Sequence, residues 1–127
     1  MRLKPIAHVE NGIAQSPHDW TKVRSKLVFD KRYVPGLYKL SHLKHVWVIF
    51  GFHRMHETRM KIHPMHDPQK PLVGVFASRS PTRPNKLGLT LVELVRLRGN
   101  VVTVKGLDAL DGSPVFDIKP YEEEIDY

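Results

Sequence analysis

The stretch Leu89-Thr90-Leu91-Val92-Glu93-Leu94-Val95-Arg96-Leu97-Arg98-Gly99-Asn100-Val101-Val102-Thr103-Val104-Lys105 decides the fold. Two apolar runs are joined by Arg98-Gly99-Asn100, whose glycine is free to take positive φ, so the pair reads as a β-hairpin. In the second run Thr103 and Lys105 share one face while Val102 and Val104 share the other, the period of two expected for a strand with one side in a core. Elsewhere, too, apolar residues fall in short β-branched and aromatic runs bounded by Gly, Pro or Asn. Strands are expected over residues 2–9, 24–30, 45–52, 73–78, 88–97, 101–107 and 114–118. The run 45–52 is apolar on both faces and should lie centrally. Helical spacing is confined to 36–42, where Leu37 and Leu40 recur. Many short strands with few short helices predict a mainly β chain forming a small antiparallel barrel or sandwich.

The 127 residues make one domain, 41% of them hydrophobic, enough to fold without staples. Cysteine is absent, which excludes disulfides, thiolate metal sites and a cysteine nucleophile. No apolar run approaches the roughly 18 residues of a membrane span, and the start lacks an apolar core followed by a cleavage site. A soluble, cytoplasmic protein with no membrane partner is expected. Net charge is +7, but residues 117–127 carry five acids against Lys119, so this acidic C-terminal tail holds −4 and the remainder +11. A body this basic attracts polyanions, RNA or DNA foremost. Neither the Gly-rich dinucleotide fingerprint nor a phosphate loop ending in Gly-Lys-Ser/Thr is present.

Two stretches concentrate chemistry. Residues 76–88, Phe-Ala-Ser-Arg-Ser-Pro-Thr-Arg-Pro-Asn-Lys-Leu-Gly, hold three cations and three hydroxyls, and Pro81 and Pro84 stiffen the backbone that displays them. Arg79 and Arg83 offer planar forks matched to carboxylate or phosphate; a solvated loop ending in a turn at Gly88 is the alternative. In residues 107–121, Asp111-Gly112 is a turn dipeptide and Ser113-Pro114 restarts the chain as a strand, so Asp108 and Asp111 sit at the rim of an element. These acids either cap the turn or face the arginine loop across a pocket, where ribose hydroxyls would suit them. Histidines pair at spacing three (His42 and His45, His53 and His56, His63 and His66), but on strands such pairs point to opposite faces, so no metal is expected. His53, directly after the central strand, is the one best placed to line a pocket. Residues 54–70 show no period and read as a mobile loop. Reaction type does not follow from these residues.

The same stretches resemble the TsaA-like family, also called TrmO. Its loop Gly-Val-Phe-Ala/Thr-x-Arg-Ser-Pro-x-Arg-Pro-Asn-x-x-Gly is matched at 74–88, and its Leu-Asp-x-x-Asp-Gly-Thr/Ser-Pro-Val-x-Asp-Ile-Lys-Pro-Tyr at 107–121. The strand 43–50 leading to His53 and the N-terminal Lys4-Pro5-Ile6-Ala7 extend the likeness over most of the chain. The resemblance implies a single-sheet β-barrel over 1–127 and a homodimer that uses S-adenosylmethionine to methylate N6 of threonylcarbamoyladenosine beside the anticodon of tRNA. A non-catalytic basic barrel binding RNA or an adenosine-containing ligand is the alternative. Carried over by position, His53, Arg54, Arg79, Leu89, Leu107, Asp108 and Asp111 fall at the cofactor, and Arg83 and Lys86 are chosen for RNA phosphates. Asp111 and His53 are the candidates to receive the N6 proton. Two departures stand out: Pro17-His18-Asp19-Trp20 occupies the region of the family's Pro-Arg-Gln cofactor segment, and Lys86-Leu87 replaces its Pro-Ile.

Overall fold

The computed structural model describes residues 1–126. Six strands close into one antiparallel barrel: β1 (Ala7–Glu10), β2 (Arg24–Phe29), β3 (His45–Gly51), β6 (Leu87–Arg98), β7 (Val101–Lys105) and β8 (Pro114–Pro120), in the spatial order β1-β2-β7-β6-β3-β8. Pairing of β1 with β8 completes the ring, so the barrel has no free edge. Two short strands, β4 (Lys61–Ile62) and β5 (Val73–Gly74), pair outside it. Val9, Leu27, Val46, Val48, Phe50, Val102, Val104 and Val115 point inward and are fully buried. The deciding hairpin forms as its alternation requires, and Gly99 takes φ 60° in its turn. The run 45–52 yields β3, flanked on both sides by β6 and β8.

Differences from the sequence reading have local causes. The first strand begins at Ala7 instead of residue 2, and ladder bonding starts with Ile6, whose N–H donates to the Val115 carbonyl at 2.8 Å. Pro5, immediately before it, has no N–H to give. The strand expected over 73–78 stops at Gly74, because Val75–Ala77 curl into a 3-10 turn closed by the Ser78 N–H on the Val75 carbonyl. The helical turn of 36–42 is two 3-10 segments, Lys31–Leu37 and Leu40–His42, with Lys39 between them at φ 64°. Residues 54–70, read as a mobile loop, contain β4 and a further 3-10 turn, Pro64–His66. Of the acidic stretch, Asp117 to Pro120 run within β8, and a short helix, α1 (Glu123–Asp126), folds back so that the Trp47 indole donates to Asp126 Oδ2 at 3.2 Å. Tyr127 lies outside the described residues.

Candidate active site

The arginine loop is ordered from within. Arg83 turns its guanidinium inward and donates to the carbonyls of Ser78 at 2.8 Å, Val75 at 3.2 Å and Ser80 at 3.3 Å, with the Phe76 ring 5.9 Å away. Three carbonyls converge on this one cation; that of Val75 also accepts from the Ser78 N–H and hydroxyl, and the shared partner ties the turn to the loop. The hydroxyls of Ser80 and Thr82 lie 2.8 Å apart inside it. Lys86 then ties the loop to the preceding segment, donating to the carbonyls of Glu57 and Arg83, both at 2.6 Å, and to the Thr58 hydroxyl at 2.8 Å. Of the two cations chosen for RNA phosphates, Arg83 thus engages its Nη1, and Lys86 its Nζ, inside the protein. Arg79 differs: it is exposed and makes no hydrogen bond or ion pair with another described residue.

Under this loop lies a half-open cleft of about 210 Å³. Arg79, Arg83 and Ser78 wall one side, Asp108 and Thr90 another, and Phe50, Phe52, Leu87 and Leu89 give an apolar floor beside Gly88. Phe50 and Phe52 meet edge to face, centroids 5.3 Å apart, which fixes the floor. Asp108 Oδ1 accepts from the Thr90 hydroxyl at 2.5 Å, leaving Oδ2 for a ligand. The arginine loop and the first aspartate thus share one cavity, although 29 positions separate Arg79 from Asp108 in the chain.

The other expected site residues fall elsewhere. Leu107 is fully buried in the core and supports the cleft from behind without lining it. Asp111 Oδ1 accepts from the backbone N–H of Asn11 at 2.9 Å and of Gly12 at 3.0 Å, pinning the β1–β2 connection. Those two backbone donors hold its carboxyl below the usual aspartate range, helped by the nearby charges of Arg54 and His8. Arg54 donates to the Ala14 carbonyl at 3.0 Å. His53 sits beside the turn, its Nδ1 3.4 Å from the Ser113 hydroxyl, with Gly112 at φ 85° against its other nitrogen. His53, Arg54 and Asp111 form a corner next to the cleft, joined to it through Phe52 and Asp108. Sequence reading missed Phe50, Phe52, Gly88 and Thr90; the β3–β6 register that pairs Phe50 with Gly88 and Val48 with Thr90 brings them in. Among the described residues no group of three or more His, Asp or Glu is placed to hold a metal ion, and no helix is long and apolar enough to cross a membrane.

The sequence and fold of this chain are similar to those of known proteins. An S-adenosyl-L-methionine-binding protein of Archaeoglobus fulgidus is 37% identical, the match covering 99% of this chain and 93% of that protein. The human tRNA (adenine(37)-N6)-methyltransferase is 35% identical over 97% of this chain, which spans only 30% of the human protein. The crystal structure of TrmO from Pseudomonas aeruginosa superposes with a TM-score of 0.79 at 28% identity, covering 99% of this chain and 58% of that one. Residues 6–127 match the tRNA-methyltransferase O N-terminal domain, and the chain belongs to that family.

Proposed function

We propose that the cleft binds S-adenosylmethionine and that the chain methylates N6 of threonylcarbamoyladenosine beside the anticodon of tRNA. The observation that carries this reading is that Arg79 and Asp108 border one cleft together with Phe50, Phe52, Leu87 and Leu89. The donor set fits the cofactor: a carboxylate for Arg79, ribose hydroxyls for Asp108, and hydrophobic walls from Phe50, Phe52 and Leu89 for the rest. When bound, S-adenosylmethionine supplies an electrophilic methyl group on a sulfonium. The residues of this chain then hold the acceptor nitrogen in line and exclude water, which is where most of the rate comes from in a displacement at carbon. For the N6 proton, His53 is the better acceptor. Asp111 is committed to two backbone donors, and its lowered pKa makes it a weaker base.

The same reading includes a homodimer. The cleft volume of about 210 Å³ falls short of the roughly 300 Å³ at which small-molecule sites begin, so one subunit encloses only part of such a ligand. Beside its mouth the outer face of β6 shows Leu87, Leu89 and Leu91, 36%, 53% and 37% exposed, in register with Gly51, Ile49 and Trp47 of β3. An apolar stripe of this kind is a face for a second copy, which would complete the wall. The same reading has the protein act in the cytoplasm, a reducing compartment with which a chain without cysteine is compatible.

Titration with S-adenosylmethionine tests the first step, because a ligand bound only by the folded state raises Tm. Incubation with tRNA carrying threonylcarbamoyladenosine, followed by nucleoside mass spectrometry, tests the second. A Tm shift with no added methyl group would leave a cofactor-binding module; no shift at saturation would defeat the site.

A further inference from the structure

The outer face of β2, β7 and β6, away from the cleft, carries charge that the fold does not use. Its register forms rows across the three strands: Arg24 beside Lys105 beside Glu93, then Lys26 beside Thr103 beside Arg96, then Val28 beside Val101 beside Arg98. Arg24 and Lys105 are thus like charges directly opposite, an arrangement that destabilises a sheet. The ion pairs among described residues are His8–Glu10, Arg32–Asp30, Arg59–Glu57 and Lys119–Asp117; none includes Arg24, Lys26, Arg96, Arg98 or Lys105. The register slip between Leu94 and Arg96 leaves Val95 bulged, and a groove of about 520 Å³ opens there, bordered by Arg24, Lys26, Arg96 and Thr103. Two carboxylates lie nearby. Glu10 borders the groove and is held by His8 at 2.9 Å, and Glu93 faces Lys105.

We infer that this groove is a track for the phosphate backbone of RNA leading to the cleft. The inference rests on the proposed tRNA substrate and names the surface that holds it. Strands β6 and β7 connect the two places: Arg96 is six residues from Thr90 on the cleft wall, on the order of 20 Å along a strand. Lys105 is three residues from Asp108. A strand whose target base enters the cleft therefore has flanking phosphates within reach of the cations. None of the exposed large apolar residues borders the groove, so the groove itself has nothing to insert into a bilayer. With Arg83 and Lys86 turned inward, this face also holds cations free for phosphate contact.

The test is tRNA binding by the full chain at several salt concentrations, comparing wild type with the triple variant Arg24→Gln/Lys26→Gln/Arg96→Gln. Loss of three phosphate contacts should lower affinity roughly tenfold or more and reduce the log–log salt slope by about 2 to 3. The Tm rise with S-adenosylmethionine should be unchanged, because none of the three residues touches the cleft. If the triple variant does not fold, Lys26→Glu alone should still lower the slope by about 1. Wild-type slope and affinity in a folded variant would overturn the inference while leaving the methyltransferase reading intact. Wild-type protein that binds anionic phosphatidylserine vesicles but not tRNA would also overturn it. Absence of a cofactor-induced Tm shift in wild type would instead strike the proposed function.

Discussion

The Cζ end of the Phe50 ring abuts Gly88, so closely that a Cβ on Gly88 would stand 2.5 Å from Cζ and under 3 Å from two further ring carbons. Phe50 is 1% exposed and braced edge-on by Phe52, so it has nowhere to retreat. Gly88→Ala should therefore cost about 1–3 kcal/mol through overpacking. That corresponds to a Tm lower by roughly 5–10 °C in a domain of this size. Since both residues border the cleft, cofactor affinity should fall with it, readable by calorimetric titration.

Arg79 is the cation with free donors at the cleft, so Arg79→Ala should weaken S-adenosylmethionine binding about tenfold, the worth of one charge-assisted contact. Stability should be unchanged, because the side chain has no partner to lose. Arg79→Lys, which keeps charge but not the fork, should fall between the two. Equal cofactor affinity in all three proteins would remove Arg79 from the site.

Arg83 and Lys86 predict a different signature. Arg83→Ala strips the Ser78 and Ser80 carbonyls of their charged donor, while that of Val75 keeps Ser78, and the loop should open more readily by about 2 kcal/mol. Amide hydrogen exchange across residues 75–86 should speed up accordingly, while exchange in β2 and β7 stays at the wild-type rate. Cofactor binding should weaken with the disordered loop wall. A change in the RNA salt slope with unaltered exchange would show that Arg83 contacts phosphate directly.

Asp111 makes folding sensitive to acid. Its carboxyl titrates below the ordinary aspartate value of 3.8 in the folded chain, because Asn11 and Gly12 donate to the ionised form. A folded-state pKa below the unfolded one means that stability is fully present above 3.8 and drains away as pH falls through the lowered value. Asp111→Asn removes that charge, so its Tm should be lower than wild type at pH 7 and the gap should narrow below pH 4. Equal gaps at pH 7 and in strong acid would show that the carboxylate charge contributes nothing.

Asp108→Asn retains an acceptor for Thr90 but loses the carboxylate, and should reduce cofactor affinity several-fold with no change in fold. Binding of adenosine, which keeps the ribose but lacks the amino-acid carboxylate, should respond to Asp108→Asn and not to Arg79→Ala. The opposite pattern would exchange their roles.

Alternation and turn chemistry settled much of the architecture in advance. Val102 and Val104 had to face a core, Gly99 had to turn the chain, and the doubly apolar 45–52 had to be flanked on both sides; these are local consequences of a period of two and of backbone freedom at glycine. The arginine loop and the aspartate turn were legible as chemistry because residue types there exceed what turns need. Tertiary structure alone decided which of those residues meet. Phe50, Gly88 and Thr90 reach the cleft by the β3–β6 register, and closure of the barrel buries the Leu107 side chain in the core. Arg83, Lys86 and Asp111 carry the charge a ligand would want, yet Arg83 meets carbonyls of its own loop, and Lys86 and Asp111 meet backbone groups 29 and 100 positions away, pairings that only the folded chain creates. Residue type states what a side chain is able to bind; only the closed barrel determines whether backbone or ligand gets there first.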